Sequence, residues 1–210
     1  MTDRRPIVQV RKLADADVFR AHLDAAGLDL CFDAELANGP DAPLARPFDV
    51  GLADGVTRTV GNRFAVLPME GWDATSDGRP TDLVRRRWER FGTSGAKLVW
   101  GGEAVAVRAD GRANPNQLCM GADAVDDLSG LRSRLVAAHA ERFGCTDDLL
   151  VGLQLTHSGR WSRPSGSPVP RVGYRHPLLD HRVPITDASV LSDDELDELS
   201  DRFVEASAMA

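Results

Sequence analysis

The sequence predicts an α/β protein built on parallel strands. Three observations carry that expectation. Short apolar runs, Phe64 to Leu67, Leu98 to Trp100 and Leu149 to Leu153, are closed by a proline, by two glycines and by a glutamine. Each of the first two leads through a loop into apolar residues at helical spacing, and the resulting order β-α-β-α-β requires crossover connections and parallel strands. The third run, LLVGLQLTHSGR over residues 149 to 160, has four apolar residues broken only by Gly152, which fits a strand buried on both faces with polar groups gathered at its carboxyl end.

The elements follow in chain order. Residues 1 to 46 form an N-terminal extension in which Val18, Phe19 and Leu23 mark a short helix ending near Gly27, before a loop rich in proline and acidic residues. Residues 47 to 210 form the main domain. It opens with a hairpin over Phe48 to Arg63, where Gly51, Asp54-Gly55 and Gly61 are the turn signals. After the first strand, Thr81 to Phe91 places Val84, Trp88 and Phe91 on one helix face, with Gly92 as the C′ residue. After the second, Asp127 to Phe143 carries Leu128, Leu131, Leu135 and Phe143 at helical spacing and stops at Gly144. Pro164, Pro168, Pro170, Pro177 and Pro184 make residues 161 to 190 a long excursion, of the kind that is functional or mobile. Ser192 is the N-cap of a last helix, with Glu195 completing a capping box, Leu191 stapling onto Leu196, and Leu196, Leu199 and Phe203 as its apolar stripe.

Composition narrows the function classes. With 42% hydrophobic and 27% charged residues the chain is an ordinary globular sequence. A net charge of -7 argues against a nucleic-acid partner, which usually meets a basic surface. Arg85, Arg86 and Arg87 read as the solvated face of their helix. The start MTDRRPIVQV lacks an apolar leader core and nothing approaches a membrane span, so no membrane partner is expected. Cys31, Cys119 and Cys145 are far apart with no CxxC, which favours free thiols in a reducing cytoplasm. His157, His176 and His181 supply metal-ligand residue types without tight ligand spacing, and no metal site is expected.

Four signatures in order, PMEG after the first strand, GGEA after the second, GRANPNQL over 111 to 118, and QLTHSGR after the third, resemble the Old Yellow Enzyme family of NADH:flavin oxidoreductases over roughly residues 47 to 207. The resemblance implies a (β/α)8 TIM-type barrel that holds FMN non-covalently across its strand ends. NADH or NADPH would reduce the flavin, which would then reduce an electron-poor double bond or similar acceptor in a small-molecule substrate. Carried over by position, Pro68 and Met69 lay the first strand's backbone against the ring, where the fixed φ of proline suits a rigid floor. Ala104 is the small residue that lets backbone approach the ring. Gln154 matches the glutamine that pairs with the flavin's pyrimidine edge, offering an acceptor and a donor side by side. Glu70 stands where the family often has threonine or cysteine. If it points at the ring, it either lowers the flavin potential by its charge or is held protonated by apolar surroundings. His157 and Arg160 border the cofactor in the family. They either orient polar groups and place positive charge near the reduced ring, or brace the loop.

A complete barrel needs eight strands and typically about 250 residues, whereas 210 residues here hold three βα units. The expectation is therefore the N-terminal part of a longer enzyme or of a truncated gene product. The family's fourth-strand histidine pair or histidine-asparagine pair, its catalytic tyrosine and its phosphate site lie in later strands. No catalytic residue is assigned, the isolated chain is expected to bind FMN weakly and be inactive, and homo-oligomerisation is left open for a full-length form. The alternative is a catalytically silent homologue acting as a binding or interaction protein.

Overall fold

The computed structural model describes residues 7 to 53 and 55 to 210. Residues 1 to 6 and Asp54, part of the turn expected from the sequence, lie outside the described residues. The chain divides into two compact units, Met1–Ala42 and Pro43–Ala210, so the second begins slightly before residue 47.

In the first unit, α1 (Ala16–Ala26) starts where the Asp15 carboxylate accepts from the Val18 N–H at 2.9 Å. It ends at Gly27, whose φ of 64° is the left-handed C-cap expected from the sequence. Phe19 meets Phe32 edge-on at 4.9 Å.

The second unit opens with the expected antiparallel hairpin of β1 (Phe48–Gly51) and β2 (Thr57–Val60). Then come the parallel strands β3 (Ala65–Val66), β4 (Leu98–Val99) and β6 (Leu150–Val151), ordered β3-β4-β6 with Ala65 opposite Leu98 and Leu98 opposite Leu150. A second parallel pair, β5 (Ala104–Ala106) and β7 (Gln154–Thr156), continues β4 and β6 after a break in each. The arrangement is α/β and parallel, with no closed barrel among the described residues.

The breaks correct the reading of the third run. It is not one strand buried on both faces: Leu150 and Val151 are half-buried, and Gln154 opens a new strand instead of closing the old one. The cause is a glycine step shared by neighbouring strands. The Gly101 N–H donates to the Gly152 carbonyl at 2.9 Å, and a Cβ on Gly152 would lie 3.1 Å from the Trp100 ring.

Helix α2 (Asp82–Thr93) starts at Thr81, whose hydroxyl accepts from the Val84 N–H. Gly92 is not its stop. It lies buried inside the last turn, where a Cβ would sit 2.2 Å from the Leu135 carbonyl oxygen of α3 (Ala124–Phe143). Its role is a close helix crossing. Helix α3 begins three residues before the predicted start, and its stripe ends on His139, fully buried, instead of on Phe143, which is 42% exposed. His139 Nδ1 donates to the Gly92 carbonyl at 2.9 Å, so the same glycine accepts a bond from the helix it touches.

The excursion over 161 to 190 is tied down by ion pairs from Arg160 and Arg175 to Asp180. Leu191 donates to the Val172 carbonyl at 2.8 Å. Helix α4 (Asp193–Met209) has the predicted capping box, with the Ser192 N–H donating to Glu195 Oε2 at 2.9 Å. The core gathers Val84, Trp88, Val99, Val105, Leu131 and Leu135 between strands and helices, with Leu199 and Phe203 packed on its margin.

Candidate functional site

The carboxyl ends of β3 and β4 and the start of β7 meet at Gly101. Its φ is 62°, and a Cβ there would lie 2.7 Å from the Gln154 backbone nitrogen, 2.9 Å from Gln154 Cβ and 3.1 Å from Pro68 Cβ. The left-handed conformation and the lack of room both require glycine. Three sequence-predicted residues converge here: Pro68 and Gln154 flank the step, and Ala104 is the register partner of Gln154. Ala104 is 5% exposed, whereas Met69 is 73% exposed and Gln154 is also open to solvent. Ala104 is fixed from behind by Gln117 of the GRANPNQL run. That side chain is fully buried, donates from Nε2 to the Ala104 carbonyl at 2.9 Å and accepts on Oε1 from the Ala113 N–H at 2.7 Å.

Glu70 accepts from the Trp72 indole N–H at 3.0 Å. Trp72 has φ 51°, the one positive value at a non-glycine among the described residues, and such a conformation persists only where the surroundings over-determine it. The cause lies between the two. The Gly71 N–H donates to Glu103 Oε1 at 2.7 Å, Glu103 pairs with Arg87, and Arg87 pairs with Asp73. Glu103 is 1% exposed. Burial pushes its carboxyl above the ordinary range, against the opposing pull of Arg87 and the Gly71 N–H. Burial weakens the Arg87 proton, but the bond to Asp73 and the charge of Glu103 outweigh it and raise the guanidinium further.

Arg87 therefore departs from the solvated-face reading of its run, while Arg85 keeps it in an exposed pair with Asp82. The signal was present in the sequence. Arg87 stands three residues after Val84 and four before Phe91, on the apolar stripe itself. Glu103 stands in the run GGEAVAV, residues 101 to 107, with no other charged residue; the structure buries the whole run, where a carboxylate needs a partner.

His157 is tucked under the loop instead of lying open beside Gln154. Its Nδ1 accepts from the Gly159 N–H at 3.1 Å, and its Nε2 lies 3.8 Å from Asp110. Its ring packs so tightly on Gly111 that a Cβ there would fall 2.2 Å from the His157 Cδ2. Burial holds the imidazole below its usual range, against the pull of Asp110. Arg160 pairs with Asp180 and donates to the Tyr174 carbonyl at 3.2 Å. In this structure the contacts of both residues are bracing contacts. Beyond Glu70 and Trp72 an open cleft continues past Thr156 and Ser158 to Trp161 and Arg163. Among the described residues no cluster of histidine, cysteine or acidic side chains has metal-site geometry, and all three cysteines are free. No helix among them is long and apolar enough to cross a membrane.

No protein-family model matches the chain, and no curated protein matches it. Solved structures do. The Old Yellow Enzyme homologue from Zymomonas mobilis matches 80% of this chain with 44% of its own, at TM-score 0.56 and 22% identity. The Old Yellow Enzyme from Trypanosoma cruzi matches 78% of it with 46% of its own, at TM-score 0.53 and 23% identity. The chain has part of the Old Yellow Enzyme fold. Morphinone reductase, at TM-score 0.55 and 19% identity, matches 80% of this chain with 44% of its own, so the chain spans under half the length of each of these three structures.

Proposed function

We propose that this chain is the N-terminal, flavin-facing part of an FMN-dependent NAD(P)H oxidoreductase of Old Yellow Enzyme type, built on a (β/α)8 barrel. The convergence of Pro68, Gly101, Ala104 and Gln154 on one step at the strand ends carries this reading. The residues fit the ring. A glycine and an alanine leave backbone accessible to a flat surface, proline stiffens one side, and the Gln154 amide is exposed at the edge with both an acceptor and a donor to offer. When bound, FMN supplies hydride transfer from NADH or NADPH to an electron-poor acceptor. The chain's own residues orient the ring and shape the approach of a small-molecule substrate along the cleft between Trp72 and Trp161, both exposed indoles suited to flat, conjugated molecules.

A second reading, a binding or interaction protein without catalysis, draws on Phe64, Leu67 and Trp100, which stand 52, 71 and 52% exposed along the strands. Titration with FMN, followed by flavin absorbance and fluorescence, separates the two. Saturable binding weakened roughly tenfold in Gln154→Ala, the loss of one neutral amide that both donates and accepts, is the expected result. Equal affinity in both proteins removes Gln154 from the ring edge, and no binding by the wild type favours the second reading.

A further inference from the structure

Two side chains that border the cleft, Glu70 and Trp72, flank one backbone amide that is bonded to the core. Gly71 is the sole residue between Glu70 and Trp72, and the Glu70–Trp72 hydrogen bond closes the unit into a ring. Gly71 is fixed from two sides. Its N–H ends on the buried carboxylate of Glu103 at 2.7 Å, and the loop passes so near the Arg87 guanidinium that a Cβ on Gly71 would lie 2.0 Å from Arg87 Nη2. Glu103 leaves the second strand region and Arg87 leaves α2, so two core elements converge on a single loop residue. Asp73, two positions on, returns to the same guanidinium at 2.5 Å and anchors the far end of the loop. A charged acceptor on a backbone N–H is a strong bond, and both terminal nitrogens of Arg87 are engaged, one by Asp73 and one by Glu103, although Arg87 Nε and Asp73 Oδ1 are buried without a partner.

We propose that Glu103 and Arg87 are positioning residues that clamp Gly71 and thereby hold Glu70 and Trp72 at the cleft shared with Thr156 and Trp161. As a statement about a flavin site, this rests on the reading given under the proposed function. The clamp itself does not. It makes the Glu70 carboxylate a fixed feature of the cleft, set by two residues that do not line it. It also explains why a tryptophan tolerates a left-handed backbone: Gly71 before it and Asp73 after it are both pinned.

The test uses the full chain with 15N-labelled tryptophan. It has four tryptophans and hence four indole N–H signals, and Trp72→Phe identifies the one of interest. Glu103→Gln and Arg87→Gln are each expected to move the Trp72 signal, as Glu70→Gln does directly, while Trp161 stays in place and Arg85→Gln changes nothing. A Trp72 signal unmoved in folded Glu103→Gln overturns the proposal. If Glu103→Gln collapses all four signals, Asp73→Asn decides, because it withdraws only the outer carboxylate; an unmoved Trp72 signal there overturns the clamp and a moved one supports it. FMN titration of the same proteins keeps the two readings apart. A wild type that takes no FMN while Trp72 still responds leaves the clamp standing and sinks the flavin reading. A wild type that takes FMN no better than a Glu103→Gln variant with a displaced Trp72 overturns the clamp's role at the site. The expected result is an FMN dissociation constant raised roughly tenfold.

Discussion

Replacing Gly101 with alanine separates two physical costs at the point where the site converges. The first is conformational: the left-handed backbone at φ 62° costs an L-residue roughly 1–2 kcal/mol. The second is steric. The new methyl would lie 2.7 Å from the Gln154 nitrogen and 3.1 Å from Pro68 Cβ, and crowding of that kind costs about 1–3 kcal/mol. Together they come to roughly 2–5 kcal/mol, a fall in Tm of about 10 °C for a chain of this size. Gly144 supplies the control. It has φ 80° with nothing within 4 Å of its would-be Cβ, so Gly144→Ala should show only the conformational cost, about 3–6 °C. Thermal unfolding by circular dichroism measures both, and FMN titration of Gly101→Ala should show binding weakened at least tenfold because Gln154 and Pro68 must part. If Gly101→Ala melts with Gly144→Ala and binds FMN as the wild type does, the glycine step is not what brings Pro68 and Gln154 together.

Further tests follow from the helices and the loop. Gly92→Ala drives a methyl against the Leu135 carbonyl at 2.2 Å and should destabilise by about 1–3 kcal/mol. The same change at Gly130, inside α3 with open space around it, should stabilise by up to about 1 kcal/mol; urea unfolding that gives both the same sign refutes the close crossing. Ser192→Ala should cost about 1 kcal/mol through loss of the N-cap of α4, seen as a lower urea midpoint with an unchanged slope. The buried His157 titrates below 6.5 in the folded chain. Its neutral form contributes stability above 6.5 that is lost as pH falls through the lowered value. His157→Gln should therefore flatten the decline of Tm below pH 6.5, and an unchanged profile would show that His157 does not set it.

What the sequence revealed, and what it hid, divides along physical lines. Local signals were faithful: Gly27 as a left-handed cap, Ser192 with Glu195 as a capping box, and the hairpin over Phe48 to Arg63 all depend on neighbours within a few residues. The parallel order of strands was also legible, because apolar runs alternating with helical stripes admit few connections. Signals set by distant contacts were not. Gly92 looked like a helix stop because a glycine at a crossing and a glycine at a cap are the same letter; only the approach of Leu135 tells them apart. Gly152 looked like an interruption of composition, whereas it answers Gly101 across the sheet. At the site, Pro68, Ala104 and Gln154 could be placed by motif, but the residues that fix the loops, Glu103, Arg87 and Gln117, are polar groups in apolar company. Their partners come from elements 16 and 13 residues away, and no local pattern names them.

Gln117 has a consequence for how this region tolerates change in length. Its amide joins the Ala113 N–H to the Ala104 carbonyl, and the next residues pair with β5 through the Ala106 N–H to the Leu118 carbonyl at 2.9 Å. The side chain acts as a ruler laid between a loop and a strand. One residue inserted between Ala113 and Gln117 would make the ruler too short for one of its two marks, leaving a buried amide group without its partner. The proline-rich stretch after Ser162 is held across its base by the Val169 N–H on the Ser162 carbonyl at 2.9 Å, but its residues 165 to 169 are exposed, and an inserted residue there can bulge into solvent without leaving a buried group unpartnered. Variation in length should accumulate there, while the four-residue interval from Ala113 to Gln117 stays constant.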